Sequence, residues 1–499
     1  MEGEVVWMNR KVIIVGSGFG GLSCAITMAA RGWGVTLIER QSTLGGKLQQ
    51  IQEEGYTFDR GPSTITMPNV FRDVFDKVGA CMEDYVELYE LEPRSRNIFA
   101  DGSRVDLSRN VSRMEDQIAT YSPTDALHYA AYIKEAGLLY QHAEAQFMNK
   151  LLLSWRDKAN LPMLRSLWRV RPFTTLQKLL ERYFSHPNTL AMFGRYATYV
   201  GSSPYQAPSI FAMLGHVEAK NGVYGVRGGT YRLIEAMARL ARELGVSIMT
   251  DTEVTQIVVA HGRTTGVETN KGFYEAPIVV ANGDVLSVNR MLIQEQDRPS
   301  MRDRRIGKYE SSLSGFVTLA GVRQQYSKLL HHTVFFPHKY EPEFRDIFER
   351  RLTPADPTVY VCYSGYSEQG MAPKGGSNLF ILANAPSLSG YLNWETEKKI
   401  YGDAVLSTLS QHGISGLDQG DVFKYYTPED IARDTLAYKG SIYGISSNSI
   451  GQTFSRPSNR SKDIEGLWYV GGTTHPGGGT PMVTLSGRLV GEYITEHMV

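Results

Sequence analysis

Residues 12–22 read Val-Ile-Ile-Val-Gly-Ser-Gly-Phe-Gly-Gly-Leu, a β-branched run followed by a glycine-rich turn. The run predicts a buried parallel strand, and apolar residues at helical spacing as far as Ala29 predict the helix that follows. Residues 35–38 predict a second strand, which ends at Glu39. This strand–turn–helix–strand order is typical of a dinucleotide-binding fold.

The glycines of the turn lie at Gly16, Gly18 and Gly21, and each has a physical role. Gly16 allows a tight turn, Gly18 lets backbone amides approach a pyrophosphate, and Gly21 lets helix and strand pack closely. The start of the helix adds unpaired N–H groups and partial positive charge. The Glu39 carboxylate, about 20 residues further on, can accept the hydroxyl protons of an adenosine ribose. Because it would repel a 2′-phosphate, the pattern disfavours NADP.

Composition and charge exclude several classes of protein. The 499 residues suggest about three compact units. Hydrophobic residues make up 42% and charged residues 21%, which is ordinary for a globular chain and wrong for a disordered one. Lys plus Arg and Asp plus Glu both number 52, so the net charge is zero. Long-range attraction to nucleic acid is therefore missing, and we expect no nucleic-acid partner.

The cysteines and histidines do not indicate a metal site. Cys24, Cys81 and Cys362 lie far apart and form no CxxC pair, which argues against a disulfide framework and a thiolate metal site. His331 and His332 are adjacent, so on a strand they would point to opposite faces. We therefore expect no metal, and a reducing, cytoplasmic compartment. No nucleophile elbow or acid pair appears either, so no catalytic residue is assigned.

Membrane association is suggested by one segment. The N-terminus carries acidic residues where a signal peptide would carry basic ones, and no apolar run approaches the roughly 18 residues that span a bilayer. Phe147 to Phe184, however, holds eight basic residues against two acidic ones, with Leu and Trp interleaved. This composition fits a helix in an anionic membrane interface. It equally fits a solvated charged face over an ordinary core. We expect a protein associated peripherally with the cytoplasmic membrane face.

Further motifs resemble those of known flavoproteins. Gly45-Gly46-Lys47 follows the acidic strand end, and Phe58-Asp59-Arg60-Gly61-Pro62-Ser63 comes soon after. Together with the first turn, they resemble the two-dinucleotide-binding-domain flavoproteins, in which the glycine doublet marks tightly held FAD. That resemblance also implies that Val254 packs against adenine, although an ordinary core role explains it equally well.

A glycine-rich loop from Gly471 to Pro481 precedes the last predicted helix, with Thr480 as its candidate N-cap. A helix start at the flavin pyrimidine edge would stabilise the negative charge that develops on reduction. His475 lies in this loop, and we expect it to hydrogen-bond within the loop rather than act as a base. The flavin would then carry out the chemistry, and the protein would position the reacting groups and stabilise their charges.

The loop, the first turn and the Phe58–Pro62 motif together resemble the bacterial phytoene desaturase family over nearly the whole chain. Tyr199–Pro208 and Pro476–Gly487 are similar to the diapocarotenoid branch, and within it to the terminal-methyl oxygenases. The resemblance implies an FAD-dependent enzyme of carotenoid biosynthesis that oxidises the terminal methyl of an acyclic diapocarotenoid to an aldehyde.

Other functions stay open at this stage. Stepwise desaturation of phytoene or diapophytoene and flavin-dependent isomerisation belong to the same class of chemistry. An amine oxidase is a further option, although nothing in the middle of the chain suggests a polar amine site. A lipid carrier resembling the GDP-dissociation inhibitors shares the fold without flavin chemistry. Retention of the fingerprint glycines and Glu39 speaks against such a carrier.

The expected fold class is α/β, with a Rossmann-like FAD domain of the two-dinucleotide-binding-domain type at 1–85, 215–290 and 460–499. A helical substrate and membrane-associating region is expected at 85–215, and a mixed α+β substrate-binding domain at 290–460. The expected partners are an acyclic carotenoid and a membrane surface. The expected cofactor contacts are Gly16, Ser17, Gly18, Phe19, Gly20, Gly21, Glu39, Arg40, Gly45, Gly46, Lys47, Gly61, Pro62, Ser63, Val254, Gly471, Gly472, Thr473, Pro481, Met482 and Val483.

Overall fold

The structure is a computed structural model that describes residues 10–154, 157, 173–454 and 456–498. Its strands are β1 (Lys11–Val15), β2 (Gly34–Ile38), β3 (Gln49–Glu53), β4 (Tyr56–Arg60), β5 (Leu88–Glu90), β6 (Ser95–Ile98), β7 (Arg104–Leu107), β8 (Tyr224–Val226), β9 (Ser247–Met249), β10 (Val254–Ala260), β11 (Arg263–Thr269), β12 (Gly272–Glu275), β13 (Ile278–Ala281), β14 (Ser314–Val322), β15 (His332–Phe335), β16 (Val359–Tyr363), β17 (Ser377–Ala385), β18 (Val422–Tyr426) and β19 (Leu467–Tyr469).

The helices of the described residues are α1 (Phe19–Ala29), α2 (Pro68–Asp76), α3 (Val111–Ala119), α4 (Pro123–Ala143), α5 (Leu176–Leu180), α6 (Pro187–Gly194), α7 (Met213–Asn221), α8 (Arg232–Glu243), α9 (Val285–Leu292), α10 (Asp303–Ile306), α11 (Glu341–Arg345), α12 (Trp394–Gln411), α13 (Pro428–Thr435), α14 (Ile450–Phe454) and α15 (Thr480–His497). None of them is both long enough and apolar enough to cross a bilayer.

A parallel sheet with the strand order β19-β13-β1-β2-β9 forms the base of the molecule. Its β-branched strands are buried because helices cover the sheet. The predicted strands and helix at the N-terminus are confirmed within one residue of their expected bounds. α1 packs against α15, and a Cβ on Gly487 would lie only 2.0 Å from the Gly20 carbonyl oxygen. The two helices approach this closely because the sequence places glycine at their contact.

The sequence from Phe273 to Val280 has a continuous strand-like pattern, which predicts one strand, but this prediction is wrong. The structure divides it into β12, which joins an antiparallel sheet with β10 and β11, and β13, which lies in the parallel sheet. Pro277 lies between the two strands. Because proline has no N–H to donate to a ladder, it ends the first pairing and the chain changes sheets there.

A second large sheet has the order β18-β14-β17-β16-β15-β6-β7, antiparallel except where β15 pairs with β6. Two of its strands, β6 and β7, come from the 85–215 stretch for which we expected helices. The remainder of that stretch is largely helical in its described part, with α4 packed against α3 and α7. The molecule is therefore an α/β fold with several sheets and many helices. Its division into three regions stays a prediction.

Candidate functional site

A cleft of about 400 Å³ lies along one edge of the parallel sheet. Its walls include Gly16, Glu39, Asn282 and Gly471, each of which follows the carboxyl end of a strand or lies within two residues of it. Ligands of open α/β sheets bind at this edge, where the turns leave backbone amides and helix starts unpaired. The described cleft is therefore the expected place for a dinucleotide.

The glycine turn is held against the sheet by a side chain that the sequence analysis missed. Asn282 Nδ2 donates to the Gly16 carbonyl oxygen at 3.1 Å, and the Asn282 N–H donates to Val15 O at 2.8 Å. Gly16 has φ +98°, and a Cβ on Gly21 would lie 2.1 Å from the Gly16 oxygen. The roles predicted for these two glycines, a tight turn and close helix packing, are thus those that the geometry requires.

Glu39 is buried, and its carboxylate has a fixed orientation. One oxygen accepts from the Ser17 N–H at 3.0 Å and from the Ser17 hydroxyl at 2.6 Å, and the other accepts from the Gln41 N–H at 3.0 Å. No ion pair joins it to a basic side chain within the described residues. Ser17, predicted as a cofactor contact, therefore also orients the carboxylate. The remaining lone pairs of the carboxylate face a cleft that it lines.

Lys47 and Asp284 form a second polar group in the cleft. Lys47 Nζ donates to the carbonyl oxygens of Ser441 and Ile442, at 3.1 and 2.9 Å. Burial lowers the pKa of Lys47, and the Asp284 carboxylate opposes that shift. Asp284 begins α9 by accepting from the Leu286 N–H at 2.9 Å. Its other oxygen, Oδ2, is buried and has no hydrogen-bond partner in the described part of the chain.

The pKa of Asp284 is raised by burial, with Lys47 acting in the opposite direction. An orphaned buried oxygen of this kind is costly unless a ligand donates to it. Asp284 was not among the predicted site residues, although an Asp directly after a strand and before an apolar helix is an N-cap signal.

Most of the predicted cofactor contacts come together in this cleft. Its wall includes Gly16, Ser17, Gly18, Phe19, Gly20, Glu39, Arg40, Gly45, Gly46, Lys47, Gly61, Pro62, Val254, Gly471, Gly472, Thr473 and Val483. Gly21 lies behind the turn instead. Arg40 directs Nη2 to the carbonyl oxygens of Arg433 and Asp434. Ser63, Pro481 and Met482 line a neighbouring cavity.

That neighbouring cavity has a volume of about 310 Å³ and shares part of its wall with the cleft. Pro62, Phe380, Leu382 and Tyr443 line both. Much of the remaining lining is apolar and comes from α4, α7, the described residues between them, and α14, including Ala143, Phe147, Met148, Leu152, Ile210, Phe211, Leu214, Val217 and Phe454. A long apolar molecule in this cavity would therefore reach a ligand in the cleft.

Polar groups lie on one wall of the cavity. The Tyr360 hydroxyl is 2.7 Å from Ser63 Oγ and 2.7 Å from His332 Nδ1. His331, His332 and Cys362 bring their donor atoms within 4.8 Å of one another. The expectation that the two histidines point to opposite faces is wrong, because β15 begins at His332 and His331 lies in the turn before it.

Burial lowers the pKa of His331 to about 4 and raises that of Cys362 to about 12, so both are neutral. The pKa of His332 is lowered by burial and also by the neighbouring charge of Arg195. A positive guanidinium beside these donors opposes the binding of a cation.

The last glycine loop is fixed from two sides. Arg456 donates to Gly472 O at 3.2 Å and to Ser447 Oγ at 2.9 Å, and burial lowers its pKa to about 10. His475 Nε2 lies 2.6 Å from Phe147 O and 2.9 Å from Lys150 O. Contrary to expectation, these ring contacts lie outside its own loop and tie the loop to the segment after α4.

The predicted N-cap of the last helix is also corrected. Gly479, with φ +104°, takes the cap position, and Thr480 is the first helical residue.

Comparison with known proteins identifies relatives of this chain. Residues 19–495 match the model of the family described as flavin containing amine oxidoreductase. A 4,4'-diapolycopene oxygenase from Methylomonas sp is 34% identical over 494 residues, 98% of this chain and 99% of the relative. A 4,4'-diaponeurosporene oxygenase from Staphylococcus haemolyticus (strain JCSC1435) is 32% identical over 493 residues, 97% of each chain. A double mutant of putrescine oxidase has a similar fold, with a TM-score of 0.65, 14% identity, and coverage of 98% of this chain and 100% of that one.

Proposed function

The chain belongs to the flavin-containing amine oxidoreductase family, and from this we propose that it is an FAD-dependent oxidoreductase acting on an acyclic carotenoid. One observation carries the choice of substrate: an apolar cavity shares a wall with the cofactor cleft. The names of two relatives matched over nearly their whole length, a 4,4'-diapolycopene oxygenase and a 4,4'-diaponeurosporene oxygenase, support the same choice of substrate. A cationic amine is a poor fit, because the described lining holds Arg195 and Arg456 and no carboxylate.

The described cleft fits FAD. The glycine turn and the start of α1 would bind the pyrophosphate, because their N–H groups lack acceptors within the helix. Glu39, already oriented by Ser17, would accept the ribose hydroxyls. Asp284 Oδ2 would accept a hydrogen bond from a hydroxyl of the bound group and would then have a partner. When bound, FAD supplies the acceptor for a hydride. We assign residues 1–85, 215–290 and 460–499 to this FAD-binding part.

We further assign oxidation of a terminal methyl group to the apolar cavity. The balanced reaction converts a methyl group and O2 into an aldehyde and water. The chain's residues act by position: the apolar lining excludes water and presents one carbon of the polyene to the cleft, within about 3–3.5 Å of the acceptor in a reactive pose. A chain that enters end-on presents its methyl group, whereas a chain threaded past the cleft presents an internal carbon and would be desaturated.

Product analysis tests the assignment. Purified holoenzyme is incubated under isotopically labelled O2 with diaponeurosporene and, separately, with diapophytoene. We expect diaponeurosporene to give an aldehyde or alcohol that carries the label, with diapophytoene unchanged. Conversion of diapophytoene to longer polyenes without label would replace the oxygenase by a desaturase. If the protein instead purifies without flavin and with unchanged hydrocarbons bound, a lipid carrier would be favoured.

We also propose peripheral membrane association through Phe147 to Phe184, of which the described residues Phe147, Met148 and Leu152 line the apolar cavity. Arg165, Arg169 and Arg171 of this segment lie outside the described residues. Changing all three to Glu should weaken binding to anionic vesicles roughly 100-fold, at about 1 kcal/mol for each basic residue near the surface. Sedimentation with vesicles at moderate salt measures this.

The control for that experiment changes Arg302, Arg304 and Arg305 to Glu. These three are exposed and lie in the second half of the chain, so the net charge changes equally. We expect this control to sediment like the unmodified protein. Equal losses in both triple variants would show that net charge alone governs binding, and no loss in either would make the segment an ordinary solvated face.

A further inference from the structure

We propose that Arg195 binds an oxygen function at one end of the polyene, so that a chain already oxidised at one end binds more tightly than the hydrocarbon that the enzyme first oxidises. This inference rests on the proposed function and specifies its substrate class. It is carried by the position of the Arg195 guanidinium, by its unused hydrogen-bond donors and by the balance of charge around it.

Arg195 begins a 3₁₀ turn, Arg195–Val200, directly after α6, and its side chain lines the apolar cavity. Its Nη2 donates to the Tyr199 hydroxyl at 2.8 Å, and its guanidinium carbon lies 5.0 Å from the centre of the Tyr199 ring. A guanidinium has five N–H donors. Within the described residues one hydrogen bond from this side chain is formed, so the other donors are available to a molecule in the cavity.

Within the described residues, Arg195 has no carboxylate at ion-pair distance, because the nearest candidate, Glu218, pairs with Arg94. Glu218 is the carboxylate that acts on it most, but Glu218 already lies 3.4 Å from Arg94 Nε and accepts from the Tyr196 hydroxyl at 3.0 Å. Buried Arg94 and partly exposed Arg195 therefore have one carboxylate between them, which leaves an excess of one positive charge beside the cavity. Burying an unpaired charge is costly, so a polar or anionic ligand is favoured at this place.

The next acid along this wall does not supply the missing charge. Glu343 is buried behind the cavity, where its carboxylate accepts from Thr358 and Asn384. Burial raises the pKa of Glu343 to about 7, so at pH 6 it is mostly protonated and neutral. His332, the imidazole on which Arg195 acts, is neutral. The described surroundings of Arg195 thus keep their excess of positive charge.

Arg456, the second arginine of the cavity, differs from Arg195 in its hydrogen bonds. Arg456 directs its guanidinium to Gly472 O, Ile445 O and Ser447 Oγ, all of them protein acceptors. Arg195 makes no comparable set of contacts. A hydrocarbon that fills the cavity would remove water from the free donors of Arg195 and leave them unpaired, whereas a carbonyl or carboxylate would pair with them, the latter in a bidentate manner.

A binding experiment on the holoenzyme tests this without turnover. The probe is the fluorescent conjugated tetraene parinaric acid, compared at pH 6 with its methyl ester and with a conjugated hydrocarbon of similar length. We expect the unmodified protein to bind the acid at least about tenfold more tightly than the hydrocarbon. Arg195→Met should remove this preference by weakening binding of the acid and tightening binding of the hydrocarbon, while FAD content stays unchanged. Arg239→Met, at an exposed site on α8, is the matched control and should keep the preference.

Persistence of the preference in Arg195→Met, or its absence from the unmodified protein, would overturn the inference. If Arg195→Met fails to retain FAD, Arg195→Lys decides: the compact ammonium cannot bind two oxygens side by side, so the preference should fall severalfold. A preference unchanged in Arg195→Lys would also contradict the inference. Failure of the unmodified protein to oxidise diaponeurosporene would count against the proposed function, because binding of the probe is measured independently of oxidation.

Discussion

Glu39→Arg should yield a protein that purifies without flavin. The Glu39 carboxylate accepts three hydrogen bonds, from the Ser17 N–H and hydroxyl and from the Gln41 N–H. A guanidinium in the same place would put its own N–H donors against the donors of Ser17 and Gln41. It also could not accept hydrogen bonds from the ribose hydroxyls. Hydrogen bonds to a charged group contribute about 1.5–3 kcal/mol each, so loss of the two to the ribose should weaken FAD binding by two to four orders of magnitude.

The ratio of flavin absorbance to protein absorbance after purification measures this effect. Glu39→Gln keeps the size of the side chain and loses its charge, so it should retain flavin partly. Glu268→Arg changes the same charge at an exposed position of β11 and should retain flavin fully. Full flavin content in Glu39→Arg would show that Glu39 does not hold the ribose.

Local sequence patterns were sufficient to predict the N-terminal strand, turn and helix and the acid that follows them. These elements form from contiguous residues, whose burial and backbone preferences are visible in the pattern itself. The same holds for the last glycine loop and α15, apart from the shift of the N-cap from Thr480 to Gly479.

What local patterns could not predict depends on contacts between distant parts of the chain. Asn282 reaches the first turn across more than half of the sequence, and Lys47 donates to carbonyls near residue 441. His475 contacts Phe147, although periodicity places them in unrelated segments. Cys362 meets His332 because the two are paired across β15 and β16. Such neighbours follow from the order and register of strands, which a single sequence specifies only weakly.

The charge distribution of the apolar cavity also depends on contacts between distant parts of the chain, so local sequence patterns do not predict it. The 11% of aromatic residues in the sequence is compatible with an apolar cavity but gives no indication of where its polar groups lie. Arg195 reads in the sequence as one basic residue among many. Its significance comes from its place on the cavity wall, near a carboxylate that already pairs with Arg94. Unbalanced charge is a property of the folded neighbourhood, so a balance of zero over the whole chain gives no indication of it.

Gly21→Ala should destabilise the protein and abolish flavin binding together. A Cβ there would lie 2.1 Å from Gly16 O, a backbone atom that cannot move freely because the Gly16 N–H donates to Ile38 O at 2.8 Å. α1 must then shift away from β1, at a cost of about 1–3 kcal/mol or more, and its N-terminus leaves the cleft. Thermal unfolding and flavin absorbance measure both effects. The control Gly34→Ala places its Cβ 3.8 Å from the nearest atom and should behave like the unmodified protein; normal flavin binding in Gly21→Ala would contradict the close helix–strand packing.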